Sequence, residues 1–109
     1  MEHFEAALRL QPNRADVHND MGEMLQRTGH PQDAIEHYQA AIRLNPDFFQ
    51  AYENLAKSLA IVKRPKEAIA SAEHAIDLAR RGRQPAAAER IDDWLKHYQA
   101  DLRRAADAK

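Results

Sequence analysis

Six histidines are the side chains in this sequence best suited to chemistry, because an imidazole can ligate a metal or exchange a proton near neutral pH. Their spacing assembles no site. No two stand at i and i+4, and no His-Glu-x-x-His run occurs, so no helix face would present a paired ligand set. His3 and His37 recur at one place in a longer period, which reads them as equivalent positions on a helix's outer face. Asp92 and Asp93 are adjacent, and neighbours on a helix point in different directions, so they form no acid–base dyad. Ser58 and Ser71 are the only serines, and there is no cysteine. That excludes disulfides and thiolate metal sites. The glycines are isolated at positions 22, 29 and 82 and form no loop that could cradle phosphate. Gly29 and Gly82 read as helix stops. No catalytic, cofactor-binding or metal site is expected, and the chain is not expected to be an enzyme.

The elements that carry these residues are helical. All five prolines fall between segments of three-and-four apolar periodicity, where proline does least damage to a helix. Pro31, Pro65 and Pro85 read as first-turn residues, and Pro12 and Pro46 as breaks after a helix. Asn13 with Asp16, and Asp47 with Gln50, have the spacing of N-terminal caps. The pattern predicts helices near 2–10, 14–28, 31–44, 48–62, 65–81 and 86–106. Met21, Met24, Leu25 and Thr28 share one apolar face. In the last helix Ile91, Trp94, Leu95, Tyr98 and Leu102 share another. Connections this short make consecutive helices antiparallel neighbours.

Length and composition fit one helical domain. The chain has 109 residues, 44% of them apolar and 30% charged, with a net charge of −1. No segment approaches the roughly 18 apolar residues of a membrane span, and no basic segment followed by an apolar core marks a signal peptide. A soluble, cytoplasmic protein is the default expectation, with no compartment identified. Two basic clusters, Lys63-Arg64 with Lys66 and Arg80-Arg81 with Arg83, fall where helices end, a place that favours cations. The same clusters are the only candidates for an RNA-binding patch, which the near-neutral charge disfavours.

A 34-residue period runs through the chain. The segment Glu2-His3-Phe4-Glu5-Ala6-Ala7-Leu8-Arg9-Leu10-Gln11-Pro12 aligns with Glu36 to Pro46, identical at seven of eleven positions. The same step carries Leu25, Pro31, Ala34, Ile35, Ala41, Ile42 and Leu44 onto Leu59, Pro65, Ala68, Ile69, Ala75, Ile76 and Leu78. A unit of this length cannot bury its apolar face alone and must stack on its neighbours.

The pattern resembles the tetratricopeptide repeat. One unit supplies Gly22 and Leu25, then Ala34, Tyr38, Ala41 and Pro46. The next supplies Tyr52, Leu55, Ala56 and Leu59, then Ala68, Ala72 and Ala75. His18 stands where the family usually has Trp, Ala72 where it has Phe or Tyr, and Arg80 where it has Pro. The resemblance implies an all-α, right-handed antiparallel helix-pair solenoid of six helices in one domain over 1–109. Residues 1–13 would be the second half of a repeat, 14–47 and 48–81 full repeats, and 85–106 a capping helix. Gly22 and Ala56 would mark close helix approaches, with Trp94 filling the volume that Ala72 leaves.

In such proteins the first helix of each repeat lines a concave groove. By matched spacing the partner-binding candidates are Asp16, Asn19, Asp20, Glu23, Gln26 and Arg27, then Gln50, Glu53, Asn54, Lys57 and Ile61. Asp16, Asp20, Glu23 and Glu53 make the strip acidic, so a protein or peptide partner with basic or polar side chains is expected. The co-chaperone members of the family clamp a terminal carboxylate with lysine, asparagine and arginine in this groove. Those cations are missing here, so that mode is not expected. The first helix lacks a partner, which leaves two expectations: the chain is a piece of a longer array, or a second copy covers the edge around Phe4. A further alternative is the C-terminal interaction or oligomerisation domain of a larger bacterial protein, whose upstream part could be an enzyme.

Overall fold

The computed structural model describes residues 14–108. Five helices follow in order, α1 (Ala15–Arg27), α2 (Pro31–Leu44), α3 (Phe49–Ile61), α4 (Pro65–Arg81) and α5 (Pro85–Asp107), and no strand occurs among the described residues. The helix expected over 2–10, with the edge around Phe4, lies outside the described residues. Each helix packs on the next in sequence, and α1 also reaches α3.

Prolines begin α2, α4 and α5 at their first positions. Here the missing N–H costs nothing and the fixed φ suits a helix. The connections before them share one construction. Gly29, Lys63 and Arg83 each adopt a positive φ, of 86°, 63° and 57°. The N–H of His30 then reaches back to the Leu25 carbonyl at 2.8 Å, that of Arg64 to Leu59 at 2.9 Å, and that of Gln84 to Ala79 at 2.8 Å. This is the left-handed C-terminal motif that satisfies orphan carbonyls. Gly82 is not the residue that turns the chain, since its φ is −82° and Arg83 takes the left-handed place.

The proposed Asp47 cap is also corrected. Phe48 occupies the N-cap of α3, without a side-chain cap bond. Asp47 belongs to the preceding turn, where its N–H donates to Asn45 Oδ1 at 3.3 Å and the Phe48 N–H donates to the Asn45 carbonyl at 3.1 Å. Asn45 closes that turn first, so the helix starts one residue later than a cap at Asp47 would allow.

Two apolar clusters form the core. The first gathers Met21 and Leu25 from α1, Ala34, Ile35 and Tyr38 from α2, Leu55 and Leu59 from α3, and Ala68 from α4. Met24 is half-buried and Thr28 exposed, so the buried face of α1 is narrower than expected. The second cluster is built on alanines, Ala56, Ala72, Ala75 and Ala79 among them, and takes Ile91 and Leu95 from α5. Ile91 is 1% exposed. Trp94, Tyr98 and Leu102 are half-buried at the margin. The buried bulk beside Ala72 is therefore aliphatic, and Trp94 packs against the edge of the cluster rather than within it.

The close approach at Gly22 has a specific cause. A β-carbon placed there would stand 2.7 Å from Tyr38 Cδ1 and nearer still to Cε1. No such contact is tolerated in a packed interior, so the buried Tyr38 ring requires glycine opposite it. The 34-residue step replaces this pair by Ala56 and Ala72, both buried.

Candidate functional site

α1, α3 and α5 stand side by side on one face. α1 and α3 are joined by amide hydrogen bonds. Asn54 Nδ2 donates to Asn19 Oδ1 at 3.1 Å and to Glu23 Oε1 at 3.0 Å. Asn19 Nδ2 also reaches Glu23 Oε1 at 3.4 Å. α3 and α5 are joined by an ion pair, Arg90 to Glu53, at 2.8 Å.

Ten of the eleven residues picked out by spacing divide into two groups, and the eleventh, Ile61, lines a cleft described below. Asn19, Gln26 and Glu53 work within the fold. Asn19 is buried under Asn54. Gln26 Oε1 accepts from the Tyr38 hydroxyl and from the Ser58 hydroxyl, each at 2.9 Å, and so ties three helices together. Glu53 is buried between Lys57 at 3.2 Å and Arg90. Burial opposes its charge, but the hydrogen bonds and charges of Arg90 and Lys57 outweigh it and hold the carboxyl below its ordinary range. The solvent-facing group is Asp16, Asp20, Glu23, Arg27 and Gln50, with Asn54 and Lys57 half-buried.

The acidic strip is therefore shorter than the sequence implied. Arg14 pairs with Asp16 and holds its carboxyl below the usual value through their hydrogen bond. Asp20 and Glu23 have no ion pair among the described residues. Partial burial, then the charges of Glu23 and Asp16, push the Asp20 carboxyl above its ordinary value. A cation arriving at Asp20 would relieve that unfavourable charge.

Two clefts open on this face. One, of about 250 Å³, is lined by Glu23, Gln26, Arg27, Tyr38, Asn54 and Lys57, so it unites candidates from both repeats. The other, of about 520 Å³, lies between α3 and α5 and is lined by Lys57, Ala60, Ile61, Trp94, His97, Tyr98 and Asp101. Trp94 and Tyr98 stack with centroids 5.2 Å apart, and Ile61 is 55% exposed. Periodicity put Trp94 and Tyr98 on a core face and so missed the slot. The signal was the step from Arg27 to Ile61, where a polar groove position becomes apolar.

A second feature absent from the sequence reading is a histidine pair. His37 is half-buried, not on an outer face, and its Nδ1 lies 3.2 Å from His18 Nδ1. Burial, then His18, hold its pKa below the ordinary value against the opposing charges of Glu36 and Asp33. Among the described residues no three His, Asp or Glu side chains gather as a metal site would need. No described helix is long and apolar enough to cross a membrane.

Two family models, both described as tetratricopeptide repeat, match residues 15–48 and 37–70. No curated protein matches the chain.

Proposed function

The chain belongs to the tetratricopeptide repeat family, and we propose on that footing that it is a scaffold whose partner protein or peptide lies along the face of α1, α3 and α5. Repeats of this family generally mediate protein–protein interaction and are typically non-catalytic. The reading takes residues 14–47 and 48–81 as the two full repeats of a single domain with α5 as its cap, wound as a right-handed solenoid. The observation that carries it is the cleft lined jointly by Glu23, Arg27, Asn54 and Lys57. Groove positions of successive repeats converge there on one concavity while the amides beneath them are already satisfied. Asn19, Gln26 and Glu53 support this surface from within, and Asp16, Asp20, Glu23, Arg27, Gln50, Asn54 and Lys57 meet the partner.

RNA binding is the weaker reading. The two basic clusters stand at opposite ends of α4, about 25 Å apart at 1.5 Å per residue. Arg64 and Arg81 are already paired with Glu67 and Asp77. Affinity capture tests the proposal with three baits: the unaltered chain, Asp20→Lys with Glu23→Lys, and the exposed α2 control Glu36→Lys with Gln39→Lys. A protein held by the first and third baits and lost by the second supports the inner face. Equal recovery on all three rejects it.

A further inference from the structure

We infer that the slot between α3 and α5 receives a bulky apolar side chain of a peptide that also carries a lysine or arginine, the cation standing over Asp20 and Glu23. The inference rests on the inner face being the binding surface and names what that surface selects.

The floor of the slot is Ala60, Ile61, Trp94 and Tyr98. At about 520 Å³ the slot has room for a bulky apolar side chain together with part of the peptide that carries it. Ile61 leaves more than half its surface in water, although covering an aliphatic side chain is favourable. Trp94 packs against the edge of one core cluster and Ala60 and Tyr98 against the other, but Ile61 belongs to neither. Exposed apolar surface gathered in a cleft and rimmed by charge marks an interaction site. At the slot's edges, Lys57 is taken by Glu53 and Asp101 by Arg104, so neither offers a free charge to a partner.

Among the described residues, two carboxylates without a salt bridge lie one helix away, Glu23 accepting hydrogen bonds only from the amides of Asn19 and Asn54. Asp20 and Glu23 are a turn apart on α1, with no ion pair among the described residues. Lys57 lines both the slot and the cleft that holds Glu23, so the two adjoin across its side chain and one short segment can reach both. An apolar anchor supplies most of the affinity, and the cation supplies orientation and rate of encounter. An acidic segment would bring its charge against Asp20 and Glu23 and is disfavoured.

A random dodecapeptide phage library, panned on the intact chain, provides the test. Trp94 is the only tryptophan, so its emission reports directly on the slot when tryptophan-free selected peptides are titrated. The expected consensus pairs Leu, Ile, Met or Phe with Lys or Arg, and binding shifts Trp94 emission to the blue. Ile61→Ser should weaken these peptides about tenfold. Asp20→Asn with Glu23→Gln should weaken them by a smaller, salt-dependent factor. Ile61 is exposed, so circular dichroism of the serine variant should match the parent. Peptides without an apolar anchor, or indifferent to Ile61→Ser, would overturn the inference. If such peptides still lost affinity on Asn54→Asp, the inner face would stand as the binding surface and only the slot would fall. Peptides insensitive to both changes, or none selected at all, would remove both.

Discussion

The inner faces of the two repeats hold equivalent places but different chemistry. The step of 34 residues takes Asp16 to Gln50, Asp20 to Asn54, Glu23 to Lys57 and Arg27 to Ile61. α1 thus presents three carboxylates and a guanidinium where α3 presents two amides, an ammonium and an apolar side chain. The cores behind them differ as well. In α1–α2 a glycine admits a buried tyrosine. In α3–α4 two alanines meet, and α5 contributes Ile91 and Leu95 to the same cluster. A repeat can therefore keep its backbone while moving bulk between its own helices and the next element. Packing constrains the sum of volumes more tightly than the identity of any one residue.

The largest effects test that exchange of volume. Tyr38→Ala should cost about 3–5 kcal/mol in a urea melt. Gly22→Ala should cost about 1–3 kcal/mol from overpacking, less whatever helix propensity returns. The double variant copies the α3–α4 solution, so its cost should fall below the sum of the two. Strict additivity would mean that the two residues do not share one volume. Next, Ile91→Ala should cost about 2–5 kcal/mol, and Trp94→Ala clearly less, because Trp94 is half-buried. The reverse order would return the role of core filler to tryptophan.

The turns allow a finer comparison. Gly29 bears its positive φ without strain, whereas Lys63 and Arg83 hold theirs against a β-carbon. Gly29→Ala should therefore lower stability, and Lys63→Gly should raise it, each by roughly 1 kcal/mol. Equal and opposite shifts in melting midpoint would mark the three turns as one construction.

The smallest effect concerns His37, which has no counterpart in the second repeat, where Ser71 stands. Its pKa is lowered in the fold, so below the ordinary histidine value of about 6.5 the unfolded chain binds more protons. Its contribution is complete above that pH and is lost as pH falls toward the lower folded value. His37→Gln should flatten the dependence of the melting temperature between neutral pH and pH 5, by less than about 1 kcal/mol given its partial exposure. An unchanged slope would clear the histidine pair of any part in acid sensitivity.

Among the described residues, helix order and boundaries were legible because prolines punctuate the chain and apolar residues recur at three and four. Ala34, Ile35, Tyr38 and Ala68 were legible as core for the same reason. The roles of the groove residues were not. Spacing places Asn19, Gln26 and Glu53 on the inner face, but only the packed helices reveal that Asn54, Tyr38, Ser58 and Arg90 engage them. Glu53 and Arg90 are 37 positions apart, and no local pattern announces such a pair. Asp47 misled because a cap and a turn residue share one composition, and Asn45 decided between them. Gly82 does stop its helix, standing at the C-cap of α4, while the left-handed place falls to the arginine after it.

The most direct measurement is an amide NMR titration of the labelled chain with the partner recovered by capture. Shifts concentrated at Asp20, Glu23, Asn54, Lys57 and Ile61, with little change at Glu36, Gln39 and Glu73 on the exposed sides of α2 and α4, are the expected result. Shifts confined to α2 and α4 would place the partner on the opposite face and contradict the account.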